Sequence, residues 1–241
     1  MPVTGPPAPE QPRHIATRDG LLVLLTLTTG AVDVSSYLHL GNVFSSVITG
    51  NLVLLGLSAA TLSASLAVHS GVALAGYSAG VLAGAPIAAR RATGEGPWPP
   101  SVTMTLLVEF VVLAAFSAGW EATGPHPGGT AQLLMITALS SAMGIQSAAV
   151  RQLGGMSTTY LTGTLTAVVA ELVTRDRQPG LVRSGGVLTA SVAGAVIGGL
   201  VAGHAAGWLP AVMLTPLAAV IIISVARLPP VRDRLRPRRD R

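Results

Sequence analysis

An all-α membrane protein built as two related halves, with six full transmembrane helices and two broken or re-entrant elements, is the fold class this sequence predicts. Three observations carry the prediction. Half of the 241 residues are hydrophobic and only 10% are charged, where a soluble domain carries about a quarter. Between Gly20 and Ala89 the one formal charge is Asp33, and none occurs between Ser184 and Ala226. Charge-free runs of that length are bilayer segments. Finally, one short pattern occurs twice. Asp33, Leu40-Gly41 and Thr49-Gly50-Asn51-Leu52 recur as Gln146, Leu153-Gly154 and Thr162-Gly163-Thr164-Leu165, at a constant offset of 113, with Ser45-Ser46 recurring as Thr158-Thr159. Related halves with glycine and hydroxyl residues at the same place usually hold a site where they meet.

Taken in order, the chain opens with a proline-rich lead (1–19) carrying Arg13 and Arg18, read as a disordered cytoplasmic segment and not a signal peptide. Eight apolar segments follow at 20–40, 43–63, 66–89, 101–120, 130–150, 156–176, 184–207 and 208–228. Each is close to the ~20 residues that cross a ~30 Å hydrocarbon core. Arg90-Arg91 and the Gly-Pro run 94–100 part the third from the fourth, and Arg175 to Arg183 parts the sixth from the seventh. Residues 121–129, rich in proline and glycine, form the midpoint between repeat 1 (20–120) and repeat 2 (130–228). The last residues, 229–241, form a basic tail. From Arg227 onward seven arginines face Asp233 and Asp240, an excess of five that equals the net charge of the whole chain. Such a tail anchors against anionic headgroups, at about 1 kcal/mol per basic residue near the surface. It is not read as a nucleic-acid site.

Arginine placement separates two topologies. If all eight segments cross, Arg90, Arg91 and Arg151 lie opposite the other twelve. If 43–63 and 156–176 dip in and return, six segments cross and all fifteen arginines share the cytoplasmic side. Positive-inside bias favours six. The halves then carry three spans each and insert in opposite orientation. Thr49-Gly50 and Thr162-Gly163 supply a reason for a break in mid-segment, because glycine is a poor helix residue and a neighbouring hydroxyl offers the backbone another partner. Eight full spans is the alternative.

Candidate substrate-binding residues follow from the same pattern. Asp33, inside the first span beside Ser35 and Ser36, must be paired or protonated. It reads as a coupling or binding carboxylate, with neutral Gln146 as its repeat partner. Glu109, near the middle of the fourth segment, has no basic residue close in sequence. If the two elements break at their glycines, free N–H groups with Thr49, Gly50, Asn51, Thr162 and Gly163 suit a polar or anionic solute group. Ser45-Ser46 and Ser157 to Thr159 are plausible N-caps. Glu171 precedes Arg175 by four residues, the favourable order for a surface ion pair. Gly76, Gly80 and Gly84, Gly194 with Gly198, and Gly199 with Gly203 read as small-residue packing faces.

Other chemistry finds less support. Gly76-Tyr77-Ser78-Ala79-Gly80 fits G-x-S-x-G, but the nucleophile elbow needs a strand-turn-helix context. A serine hydrolase using Ser78 with His204 is therefore a remote alternative, and no enzyme activity is expected. His39, His69 and His204 show no metal spacing, no phosphate loop occurs, and no cofactor is implied. Cysteine is absent, which excludes disulfides. The expected partners are the lipid bilayer, anionic headgroups at the basic tail and a small polar solute; a homo-oligomer is left open. A secondary transporter in a bacterial plasma membrane, termini cytoplasmic, is the leading reading. A scaffold, sensor or complex subunit is the alternative.

The stretch Gly30-Ala31-Val32-Asp33, Tyr37-Leu38-His39-Leu40-Gly41-Asn42-Val43-Phe44 and Thr49-Gly50-Asn51-Leu52 resembles the YoaK-like family of bacterial membrane proteins. Its members share an Asp-containing first span, an LG-x-VF turn and a TGN element. The likeness is closest over residues 30–56 and looser elsewhere, while length and segment pattern agree along the chain. Ser45-Ser46 is a mild departure. The resemblance implies a multi-pass membrane protein, loosely described as permease-like, in which Asp33 and Thr49-Gly50-Asn51 matter; it implies no substrate.

Overall fold

The computed structural model describes residues 12–90, 98–153, 161–174 and 181–226. These are helical almost throughout: α1 (Pro12–His39), α2 (Ile48–Thr61), α3 (Ala64–Ala88), α4 (Pro100–Thr123), α5 (Gly129–Arg151), α6 (Leu161–Thr174), α7 (Leu181–His204) and α8 (Leu209–Ala226), with a 3-10 turn at Ala206–Trp208. Six of them, α1, α3, α4, α5, α7 and α8, are long and apolar enough to cross a membrane. The other two, α2 and α6, have 14 residues each, about 21 Å of helix against a ~30 Å core. The six-plus-two architecture is the one observed.

Boundaries differ from the sequence expectation where local chemistry extends or stops a helix. The helix α1 begins at Pro12, so the end of the expected disordered lead is helical; proline fits a first turn, where its missing N–H has no acceptor to lose. Residues 1–11 and the basic tail lie outside the described residues. The 43–63 segment does not break at its glycine. The chain turns earlier, through Gly41 and Asn42, both at positive φ, and α2 starts only at Ile48 with Thr49-Gly50 inside its first turn. Gly41 is required there twice over: its φ is +92°, and a Cβ would collide with the ring of His69. At the far end of α2, Leu62 adopts a left-handed cap and Ser63 accepts a hydrogen bond from the Leu66 N–H to start α3.

The long helices meet most closely across the halves. On α1 and α7, Gly30 lies against the backbone of Ser191 and Ala195, Gly194 against Leu27, and Gly198 against Ala31. On α3 and α5, Gly144 lies against Tyr77 and Val81, Gly80 against Ser141, and Gly84 against Ile145. A side chain at Gly30, Gly80, Gly144 or Gly194 would overlap a facing backbone carbonyl. This is small-residue packing, in which close approach replaces the hydrophobic drive that lipid removes. The expected face of Gly199 and Gly203 is only half realised, since nothing approaches Gly203.

Helix pairing is unchanged when the first four helices are exchanged for the last four. Packing of α1 on α7 answers α3 on α5, α1 on α8 answers α4 on α5, α2 on α3 answers α6 on α7, and α3 on α4 answers α7 on α8. The α1–α5 and α4–α8 pairs map onto themselves. Equivalence in the crossings is one residue out of step with the sequence repeat: Gly30 matches Gly144, Leu27 matches Ser141, and Ala31 matches Ile145. In that register Asp33 corresponds to Ser147, and the sequence pairing with Gln146 is corrected. The reason is geometric, since helix crossings are set by which small residues meet.

Hydrogen bonds also give the direction of the self-paired helices. Near one end of α1, Arg18 reaches the Leu153 carbonyl just past α5, and further along Gln146 donates to the Leu25 carbonyl. The two helices therefore run antiparallel. Thr103 bonds Ser224 while Trp120 bonds the Ala206 carbonyl, so α4 and α8 are antiparallel too. With eight crossing segments both pairs would be parallel; with six they are opposed.

Two measurements check this arrangement. Valine at Gly80 or Gly194 forces a backbone contact apart and should destabilise the protein by several kcal/mol, toward the upper end for a core change, whereas Gly203→Val should be near neutral in the same detergent unfolding assay. Cysteines placed at Asn42 and Gln152, both exposed, should react with an impermeant thiol reagent from opposite sides of the membrane. Labelling of both from one side would refute the antiparallel insertion.

Candidate functional site

Asp33 is a helix-borne carboxylate that holds a loop. Its Oδ1 accepts the Ser45 N–H at 2.9 Å and the Ser46 N–H at 2.7 Å, and its Oδ2 accepts the Ser46 hydroxyl at 2.5 Å. Next to it the Ser36 and Ser45 hydroxyls share a hydrogen bond of 2.5 Å. The sequence expectation that Ser45-Ser46 cap the following helix is not met: Val47 occupies the cap position, without a side-chain cap bond. The N–H groups freed by the break are instead turned back on Asp33. The anion they bind is the protein's own. Hydrogen bonds to an ionised acceptor contribute about 1.5–3 kcal/mol each, which explains how a carboxylate is kept inside a span.

Asn51 completes the same turn. Its Oδ1 accepts the Phe44 N–H at 2.9 Å and its Nδ2 donates to the Phe44 carbonyl at 2.5 Å. The side chain is fully buried. It satisfies both backbone groups of one residue, as a sheet partner would, where no other backbone is available. Gly50 eases this, because a Cβ there would stand 3.1 Å from the Phe44 ring and 3.3 Å from Val47. Thr49 is exposed. Asp33, Gly50 and Asn51 thus come together as one knot around residues 40–47, with Thr49 on its outer side.

In the second half the picture is different. Thr162 and Gly163 lie in the first turn of α6 and are exposed. The preceding residues, including Ser157 to Thr159, lie outside the described residues, as does Arg175, the expected partner of Glu171. Gln146 stands apart from α6: it is buried against α1, donating to the Leu25 carbonyl at 3.1 Å and to the Thr29 hydroxyl at 3.3 Å. Thr29 was not a sequence candidate. A legible signal existed, since it precedes Asp33 by one helical turn and shares its face.

Glu109 is fully buried in α4, and neither carboxylate oxygen has a hydrogen-bond partner. Short-loop antiparallel packing of α4 on α5, with Gly119 beside Met135, places it about level with Met143 to Gln146. The Thr103–Ser224 and Trp120–Ala206 bonds place it near Leu217 of α8. It lies close to the middle of the span. Ser78 and His204, the remote hydrolase pair, are each exposed and bonded to their own helix, at the Leu74 and Leu200 carbonyls.

The profile of a protein family of unknown function, DUF1275, matches residues 21–225. The chain belongs to this family. The transmembrane protein YoaK of Bacillus subtilis (strain 168), a UPF0700 protein, is 38% identical over 164 residues, which cover 65% of this chain and 68% of that protein. No solved structure matches. This DUF1275 member is an integral, multi-pass membrane protein, as its composition and six long apolar helices require.

The knot around Phe44 sets an order among substitutions. Asp33→Asn keeps an oxygen for the two N–H groups and leaves the Ser46 hydroxyl free to turn and accept, so it should be milder than Asp33→Ala. Asn51→Asp keeps the acceptor but sets a charge against the Phe44 carbonyl, and should cost more than Asn51→Ala, itself about 1–3 kcal/mol. Thermal unfolding of the detergent-solubilised variants, with thiol reactivity of a cysteine at Asn42, reads both orders.

Proposed function

We propose that this protein is a secondary transporter for a small polar solute, inserted in the bacterial plasma membrane with both termini cytoplasmic. One observation carries the reading: the packed pairs α1–α5 and α4–α8 run antiparallel, while the pairing scheme is the same for either half. Two equivalent halves inserted in opposite directions, each with one short helix, form the pattern of carriers that rock one half against the other around a mid-membrane site. The arginine distribution supports the orientation. Polar residues at the junction of the halves, namely Gln146, Thr29 and Glu109, are where the solute site belongs, with the Asp33–Asn51 knot one helical turn along α1 from Thr29. The scheme uses no catalytic residue, metal or cofactor. The basic tail serves as an anchor to anionic headgroups.

A second reading has one observation in its favour. Asp33 and Asn51 spend their hydrogen-bonding groups on their own loop, as they would in a scaffold or complex subunit with no solute to bind.

Proteoliposome uptake of a panel of labelled small polar solutes separates the two. Transport requires at least one solute to be accumulated by the wild type, and Gln146→Leu, which removes polarity at the junction, should lower that flux at least tenfold, a 1.4 kcal/mol effect or more, without loss of fold. Folded protein that moves none of the solutes across the panel would favour the scaffold.

A further inference from the structure

The clamp between α4 and α8 is polar at both ends. At one end Trp98 Nε1 donates to Thr103, Thr103 to Ser224, and Ser224 to the Ile221 carbonyl. At the other, Trp120 Nε1 donates to the Ala206 carbonyl at 3.0 Å. Between these fixed points Glu109 is buried with both oxygens unpartnered. Asp33, Asn51 and Gln146 are hydrogen-bonded. Among the described acids Glu109 is the fully buried one with both oxygens unpartnered, while half-buried Glu171 has one such oxygen.

The elements packed on α4 are α3, α5 and α8. Titratable groups on them are few: α8 carries none, α5 carries Arg151 at its exposed terminus, and α3 carries His69, on Gly41, and Tyr77, whose hydroxyl donates to Ser147. On α4 itself Glu121 is exposed near the far end. No cation stands against Glu109 among the described residues. An isolated carboxylate in a low-dielectric interior is costly unless a cation or a proton answers it. A carboxylic acid with nothing to donate to is also an odd choice for packing alone, since leucine would fill the space without desolvating a polar group.

The two ends of α4 differ in polarity beside it. Ser101 and Thr105 precede Glu109 by two turns and one turn on the same face of α4, and both are buried. Beyond Glu109 the same side of the helix turns apolar at Leu113, Phe116 and Trp120, all buried. The buried hydroxyls, Thr105 donating to the Ser101 carbonyl at 2.8 Å, thus lie only toward the end of α4 that begins at Pro100, beside buried Val102 and Leu106.

We infer that Glu109 is a proton-binding site which exchanges with water only from the Pro100 end of α4, carrying the proton that couples flux when the halves rearrange. Its use in coupling rests on the transport reading; its protonation and one-sided access do not. The step is a simple transfer: the carboxyl O–H breaks, its electron pair stays on the carboxylate, and a water molecule admitted beside Thr105 takes the proton, with the reverse on reloading.

The test is infrared difference spectroscopy on the full chain in nanodiscs. Wild type should show a protonated-carboxyl C=O band at neutral pH that shifts on transfer to D2O. The band should vanish in Glu109→Gln, survive in Asp33→Asn, and exchange severalfold more slowly in Thr105→Val. Should Glu109→Gln fail to fold, Glu109→Asp must move the band's frequency without abolishing it. Absence of the band, its persistence in Glu109→Gln, or a band that never exchanges with D2O would overturn the proposal. If the band exchanges as described while no solute on the uptake panel moves, the proton site stands and the transport reading falls.

Discussion

Close approach of backbones between the two halves is the constraint on which the rest of this structure depends. In a bilayer, helices gain nothing by hiding apolar side chains from lipid tails that are equally apolar. What holds α1 to α7 and α3 to α5 is contact at Gly30, Gly194 and Gly198 and at Gly80, Gly84 and Gly144, where one helix lies on the carbonyls of the next. Those crossings join helices of different halves. Neither half closes a core by itself, so the membrane interior of the protein is the interface between them.

Polar groups are distributed according to that interface. A buried donor or acceptor in the membrane costs free energy unless another group answers it. Asp33 is answered by the backbone of its own re-entrant turn, Asn51 by the backbone of Phe44, and Gln146 by a carbonyl and hydroxyl of the opposite half. The first two stabilise a break in a helix; the third ties α5 to α1. The break therefore has its own anion, which explains why an aspartate rather than a neutral residue occurs there. Glu109, without an answering group among the described residues, stands outside this pattern.

The two short helices both leave apolar residues exposed: Leu52, Val53 and Leu57 on α2, and Leu165, Val169, Leu172 and Val173 on α6. Only the first copy has the carboxylate. Structural equivalence puts Ser147 at its place in the second half, and the Tyr77 hydroxyl donates to that serine across the α3–α5 crossing at 2.8 Å.

Much of this was legible in the chain itself. Eight apolar segments, the charge gaps between them and the arginine bias determine a multi-pass helical protein, because hydrophobic length and charge act locally and are read residue by residue. Small-residue spacing likewise marked Gly76 to Gly84 and Gly194 to Gly198 as packing faces. Sequence also singled out Asp33, Asn51, Gln146 and Glu109, since a polar residue in an apolar run stands out wherever its partner lies. What it did not determine were the partners. That Asp33 binds Ser45 and Ser46, that the break precedes Thr49-Gly50, that Gln146 reaches Leu25 and Thr29, and that nothing reaches Glu109 are outcomes of packing. Tertiary structure alone decided them, because they depend on how deep each helix sits against its neighbour, and a one-residue change of register at a glycine crossing carries every polar group on that helix to a different partner.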